Sequence, residues 1–308
     1  MTSPNQPAPP PHDTDDDSAD SGPSACVLVF NANDPSGAAG LSADLMAVAS
    51  VGAHSLPVVT GAYARDTSEV MDHFAFDDDA VTEQARGILE DVPVQAIKVG
   101  FVGSAENLSA IAELASDYSD VPLVAYMPDL SWWDEDKIDQ YQDACSELLL
   151  PQASVLVGNH STLSRWLLPD WSGERGPTAR DIARAAQEQG VPYTLVTGIP
   201  LPDQFIENSL CSPTAVLCTV KFERFEAIFS GAGETLSAAL AALIASETEL
   251  VEAVTEALTY LDRCLDSGFR PGMGHVLPDR LFWAQPEDDE TDDAQESSSE
   301  ISPHDPRH

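Results

Sequence analysis

The sequence predicts an α/β fold, a doubly wound, mostly parallel sheet flanked by helices. Three observations point to it. Short β-branched runs alternate with helical patterns through the body of the chain. The intervening helices are long enough to serve as crossovers between parallel strands. The length, 308 residues, fits one large α/β domain.

Taken in order, the strands are expected at 26–30, 55–60, 96–99, 122–126, 154–157 and 194–197. Each is short and apolar, as strands buried on both faces are. Helical patterns fall between them near 38–51, 79–90, 105–116, 134–148 and 178–189. Two β-like runs at 215–220 and 222–228 lie close enough to predict a hairpin. Two longer helical patterns follow at about 234–246 and 248–265. The domain is expected over 25–285. Residues 1–24 carry five Asp and no Lys or Arg, and 286–308 carry nine acids and one Arg. Neither stretch has enough apolar surface to offset its ordering entropy, so both are expected to be disordered acidic tails.

The charge is lopsided. Fourteen Lys and Arg face 52 Asp and Glu, a net charge of -38, and the body is acidic even without its tails. Such a surface repels phosphate backbones and anionic membranes, so neither nucleic acid nor membrane is an expected partner. No apolar run approaches the roughly 20 residues of a spanning helix, and the first twenty residues lack a signal peptide's basic and apolar regions. Five cysteines without a CxxC pair predict neither a disulfide framework nor a zinc site. The expected compartment is a reducing cytoplasm.

In open sheets of this kind, ligands bind beyond the carboxyl ends of the strands, and three informative loops fall there. The first runs from Asn31 to Gly40 through Asn33, Asp34, Pro35, Ser36 and Gly37. Its small residues let backbone approach a ligand, although a plain strand-to-helix turn has the same composition. The second joins the expected hairpin to a helix through Gly231, Ala232, Gly233 and Glu234. Backbone N–H groups at a helix start suit charge on a transferred phosphoryl group. Glu234 is placed to accept a proton from a substrate hydroxyl, or simply to cap the helix. In the third loop, from Val157 to Thr162, Asn159 suits a phosphate oxygen or metal-bound water, and Asn159 or Ser161 equally suits an N-cap. Lys98 reads as a phosphate or carboxylate contact or as half of an ion pair. Trp132 and Trp133 read as a cover over a ligand or as packing at a helix start.

These residues resemble the hydroxymethylpyrimidine/phosphomethylpyrimidine kinases of thiamin biosynthesis, in the ribokinase superfamily. Asp34-Pro-Ser-Gly-Ala-Ala-Gly-Leu-Ser-Ala-Asp44-Leu resembles the family's DPSGGAGIQADLK stretch. Gly231-Ala-Gly-Glu-Thr-Leu-Ser-Ala-Ala-Leu-Ala-Ala242 resembles GTGCTLSAALAA. Val51-Gly-Ala-His54, Ile97-Lys-Val-Gly100 and Gly272-Met-Gly-His275 add shorter matches, and the resemblance spans Val27 to Trp283. It implies a ribokinase-like fold and transfer of phosphate from ATP, with Mg²⁺, to hydroxymethylpyrimidine or its monophosphate. By the same resemblance, Asn33, Asp34, Gly40, Asp44, Arg65 and Phe101 face the pyrimidine. Gly231, Ala232 and Gly233 hold the transferring phosphate, and Glu234 is the base. Asn159, Thr197, Gly198 and Lys221 lie by the nucleotide, His275 lies near it, and a homodimer is a further implication. The metal ligands are not assigned.

Five positions depart from the pattern. Arg65 stands at a family Gln, Phe101 at a Met, and Tyr126 near a strand-end Asp for which Asp129 is a substitute in a shifted register. Thr162 stands at the metal-side Glu, and Thr197-Gly-Ile199 replaces Lys-Gly-Gly. A hydrogen bond to a charged group is worth about 1.5–3 kcal/mol, so the missing Glu and Lys would weaken metal and phosphate binding. Arg65 and Phe101 keep open a kinase for a pyridoxal-type alcohol. Thr162 and Thr197 keep open an impaired pyrimidine-binding or regulatory protein.

Overall fold

The computed structural model describes residues 24–284, so the two acidic tails expected from the sequence lie outside the described residues except for Ser24. The first half contains β1 (Cys26–Asn33), α1 (Gly40–Ser50), β2 (His54–Arg65), β3 (Val70–Ala75), α2 (Asp78–Leu89), β4 (Ala96–Val99), α3 (Ala105–Asp117) and β5 (Leu123–Met127). The second contains α4 (Glu135–Ala144), β6 (Val155–Asn159), α5 (His160–Leu167), α6 (Ala179–Glu188), β7 (Tyr193–Pro200), β8 (Phe205–Cys211), β9 (Val216–Glu223), α7 (Ala232–Ala245) and α8 (Leu250–Asp266).

All nine strands join one sheet in the order β3-β2-β1-β4-β5-β6-β7-β8-β9. From β2 to β7 the pairs are parallel; β3, β8 and β9 add antiparallel edges. The strands of the parallel block are apolar because helices cover both faces. Leu28 and Phe30 of β1 enter a core shared with α2, α3, α4, α5 and α6. Val27 and Val29 enter the opposite core, shared with α1, α7 and α8. The alanine-rich α7 lies against the centre of the sheet, with every residue from Thr235 to Ala242 buried. Thr178 and Asp181 form a reciprocal capping box at α6, and Ser104 caps α3 through the Asn107 N–H.

The structure corrects the expected hairpin. Residues 215–228 do not fold back on themselves: Val216–Glu223 form one strand, whose partner is the unforeseen β8. The helix expected over 134–148 is α-helical over Glu135–Ala144, widens into a π-helical turn over Cys145–Leu149 and closes with a 3₁₀ turn over Leu150–Gln152, which holds Pro151 in its first turn where no donor N–H is needed.

Candidate active site

The carboxyl ends of β1, β2, β4, β5, β6 and β7 open toward the N-terminus of α7. Gly231 is the residue before that helix, at φ +83°. An added Cβ there would collide with the Ala38 carbonyl, so only glycine lets the two loops meet. At the start of α7 the N–H groups of Ala232 and Gly233 have no partner within the helix, while that of Glu234 bonds to its own carboxylate. Thr235 Oγ1 donates to the Gly231 carbonyl at 2.7 Å and fixes the turn.

Arg280 ties this turn to the first loop. Its Nε donates to Thr235 Oγ1 at 2.8 Å, while Nη1 and Nη2 donate to the carbonyls of Gly37 and Ala38 at 3.3 and 2.5 Å. The side chain is buried, and burial draws its guanidinium below the ordinary value against the pull of Glu234. Sequence reasoning passed over Arg280, because nothing near it in the chain reveals partners more than two hundred residues away.

The first loop is held by Asp34. Its carboxylate accepts from the N–H groups of Ser36 and Ala39 at 2.8 and 2.7 Å and from Ser36 Oγ at 2.7 Å. It also pairs with Arg65 at 3.3 Å. The Asp34 carboxylate therefore shapes the loop, and the Arg65 cation, expected to face substrate, already has an anion beside it. Asn33 is exposed at the end of β1, and Gly40 opens α1 at φ +57°.

Behind these residues lies a buried pair. Lys98 Nζ donates to both oxygens of Asp44 at 2.8 and 2.9 Å, and neither side chain reaches solvent. Asn31 Nδ2 adds a bond of 2.8 Å. Burial raises the Asp44 carboxyl above its ordinary range, while Lys98 opposes the shift. The ion-pair reading of Lys98 is the one the geometry matches. Glu234 faces the same group of charges from α7. Burial raises its carboxyl, Lys98 and Arg280 lower it, and Asp44 raises it further. A carboxylate shifted upward inside a site is suited to receive a proton.

Phe101 differs from its expected place on an open pocket wall. It is 2% exposed, in contact with the rings of Tyr63, His73, Trp132, Trp133 and Tyr141. The two tryptophans stack in this cluster at 5.8 Å. Tyr126 reaches over Gly233 from the end of β5, and an added Cβ on that glycine would collide with its hydroxyl. Asp129 does not replace it, because it lies at the surface paired with Arg165 at 3.2 Å.

On the nucleotide side, Asn159 caps α5, its Oδ1 accepting from Ser161 N–H and Oγ at 3.0 and 2.9 Å. Thr197 pairs with Asn159 across the sheet and donates to the Gly158 carbonyl at 3.3 Å. Gly198 follows at φ +66°, its N–H bound to Asn208 Oδ1 at 3.0 Å. Lys221 is not with them. Cys218, Val220 and Phe222 pack toward α7 and α8, which turns Lys221 to the other face beside Glu207 at 3.9 Å. His275 joins Ser230 Oγ at 3.0 Å, and its N–H binds the Thr67 carbonyl at 2.9 Å. Among the described residues, no three His, Cys, Asp or Glu side chains gather where they could hold a metal. No helix there is long and apolar enough to cross a membrane.

The sequence model of phosphomethylpyrimidine kinases matches residues 34–279, from the first loop to the residue before Arg280. The chain belongs to the phosphomethylpyrimidine kinase family. Membership makes it a phosphotransferase, and the sheet is that of the ribokinase-like fold. A hydroxymethylpyrimidine/phosphomethylpyrimidine kinase of Streptomyces coelicolor is 27% identical, over 92% of this chain and 99% of that protein. One from Escherichia coli is 28% identical, over 82% and 94%. The ADP complex of Bacillus subtilis pyridoxal kinase superposes with a TM-score of 0.74 at 21% identity, over 84% of this chain and 98% of that one, and shares the fold. In kinase terms, the α7 turn, Glu234 and the Asp44–Lys98 pair stand together. Lys221 stands apart from them.

Proposed function

We propose that this chain is an ATP-dependent kinase of hydroxymethylpyrimidine or its monophosphate in thiamin biosynthesis. One observation carries the reading: a carboxylate, Glu234, sits in the first turn of a helix whose free N–H groups face the same space. The acceptor oxygen attacks the γ-phosphorus of ATP and a new O–P bond forms. The bond from that phosphorus to the β,γ-bridging oxygen breaks, and ADP leaves with its electron pair. With hydroxymethylpyrimidine the acceptor is its alcohol, whose proton passes to Glu234; with the monophosphate it is a phosphate oxygen, already ionised at neutral pH, which attacks without a proton to give up. The α7 N–H groups fit the migrating phosphoryl, because they are aimed before charge develops.

The implied Mg²⁺ fits less well. The strand ends that face the α7 turn present the phenol of Tyr126 and the amide of Asn159, and the latter's oxygen is occupied by its capping bonds. Thr162 is buried nearby without a carboxylate. Magnesium sites usually recruit one or two protein carboxylates beside substrate phosphates, and this donor set does not supply them. The cytoplasmic location and the homodimer belong to this proposal as well.

The deciding experiment measures ATP consumption with hydroxymethylpyrimidine, its monophosphate and pyridoxal, for wild type and Glu234→Gln. Turnover of a pyrimidine that falls about 10²-fold or more in the variant supports the assignment. Turnover of pyridoxal alone would redirect the substrate. Pyrimidine binding without turnover in either protein would make the chain a binding protein.

A further inference from the structure

The mechanism above leaves one polar group of the site unused. Tyr126 extends from β5 on the face of the sheet that carries α7. Its hydroxyl rests on Gly233, where an added Cβ would block it, so the glycine admits the phenol to the first turn of the helix. The ring is half-buried, with Lys98 Nζ 5.7 Å from its centroid. The hydroxyl bonds to no acceptor among the described residues, and it is not among the sealed polar atoms either. An O–H group therefore stands open to the site where the helix N–H groups converge.

We propose that Tyr126 is a catalytic residue of the transfer, its phenol O–H donating to a non-bridging oxygen of the migrating phosphoryl group beside the N–H groups of α7. The inference rests on the kinase reading. During the step an alcohol acceptor's proton goes to Glu234 and the electron pair leaves with ADP. Tyr126 keeps its proton throughout. Its neighbours favour that: burial raises the phenol well above its ordinary range, and Glu234, Tyr63, Asp44 and Asp129 add to the shift. A neutral donor also suits this position. A carboxylate there would repel the phosphoryl oxygens unless a cation lay between them, and the strand ends that face the α7 turn offer that cation no carboxylate. The tyrosine thus supplies hydrogen bonding where, among the described residues, no cluster of metal-ligating side chains gathers.

The test is Tyr126→Phe, which keeps the ring and its packing and removes only the O–H. Loss of one preorganised donor lowers kcat by about 10²–10³-fold in comparable sites. The expected result is a kcat at least ~10²-fold lower, with KM for the pyrimidine and the calorimetric Kd for ATP within about 3-fold of wild type. A ring that only packs would leave kcat unchanged, and that result overturns the proposal. If Tyr126→Phe does not fold, Tyr126→Leu removes the same O–H with a smaller side chain, and the same contrast applies. Wild type that consumes no ATP with any of the three alcohol or phosphate acceptors sinks the kinase reading and this inference with it. Wild type that turns over alongside an equally active Tyr126→Phe sinks the tyrosine assignment alone.

Discussion

Replacing Lys98 by Met tests the buried pair under the site. Lys98 Nζ lies 2.8 Å from Asp44, and both side chains are fully buried. At an effective dielectric of about 20, charges that close attract by about 6 kcal/mol. Removing the lysine leaves Asp44 with the Asn31 amide as its only direct partner. The loss is capped, because Asp44 can take up a proton instead of remaining charged. From its ordinary value of 3.8, protonation at pH 7 costs about 4.4 kcal/mol, at roughly 1.36 kcal/mol per unit. That agrees with the 3–5 kcal/mol typical of a broken buried pair. At pH 5 the cap falls to about 1.6 kcal/mol. The sign follows from linkage: in the variant the folded carboxyl is neutral and the unfolded one charged, so stability relative to wild type falls as pH rises. Urea denaturation at both pH values measures this. The expected loss is about 4 kcal/mol at pH 7, or about 8 °C in Tm for a domain of this size, and under half that energy at pH 5. Lys98→Met combined with Asp44→Leu should regain most of it. A loss below about 1 kcal/mol at pH 7, or equal losses at both pH values, would refute the reasoning.

Two further predictions concern the rest of the molecule. Burial pushes His73 down to about 4, and its Nε2 has no partner. The unfolded chain binds a proton there below 6.5 while the folded chain does not, so wild type loses stability as pH falls through that window. His73→Phe should shrink the change in unfolding free energy between pH 7 and 5 by about 2 kcal/mol, and an unchanged slope would contradict the assignment. The net charge of -38 makes the fold repel itself. Raising salt from 0.1 to 1 M shortens the screening length from about 10 to 3 Å. Thermal scans should show Tm rising by several degrees, and a flat or falling Tm would mean that the repulsion is not limiting.

The parallel strands were legible because burial on both faces makes them continuous apolar runs, as in β1 and β4. The antiparallel strands were not, because polar residues interrupt them. β3, at the edge and only partly covered, carries Asp72 and His73, while β8, between β7 and β9, carries Glu207 and the buried Asn208 and Ser209, which spend their side chains on hydrogen bonds. The hairpin was misplaced because the charged Lys221 divides two β-like runs; in the single strand it faces Glu207. At the site, Gly231 and Glu234 were legible because a helix start requires a small residue and favours an acid. Arg280 was invisible, since only the folded chain brings it to Gly37 and Ala38. Phe101 and Lys221 were placed by resemblance, and side-chain direction is the property that resemblance transmits least.

Of the five departures from the family pattern, Arg65 lies beside Asp34 and Phe101 in the aromatic cluster, while the other three group together. The loop from Asp34 to Gly40 and the Gly231–Gly233 turn, which flank the acceptor and the migrating phosphate in the proposed reaction, form one connected structure. Arg280 makes it so: it fastens the loop that Asp34 shapes to the turn that Glu234 follows. Two loops joined at fixed distances hold acceptor and phosphate in register without ordering costs at the moment of reaction. Those three, Tyr126, Thr162 and Thr197, lie at or beyond the ends of β5, β6 and β7, on the side where nucleotide and metal would sit. A chain that retained transfer but lost metal ligands would need another donor at the phosphoryl group. Of the three replacements, Tyr126 is the one whose polar atom is both unbonded and aimed at the helix turn. Thr197 spends its hydroxyl on the Gly158 carbonyl, and Thr162 is buried. The Tyr126→Phe measurement therefore bears on more than one residue: it asks whether this site has moved charge stabilisation from a bound cation to the protein.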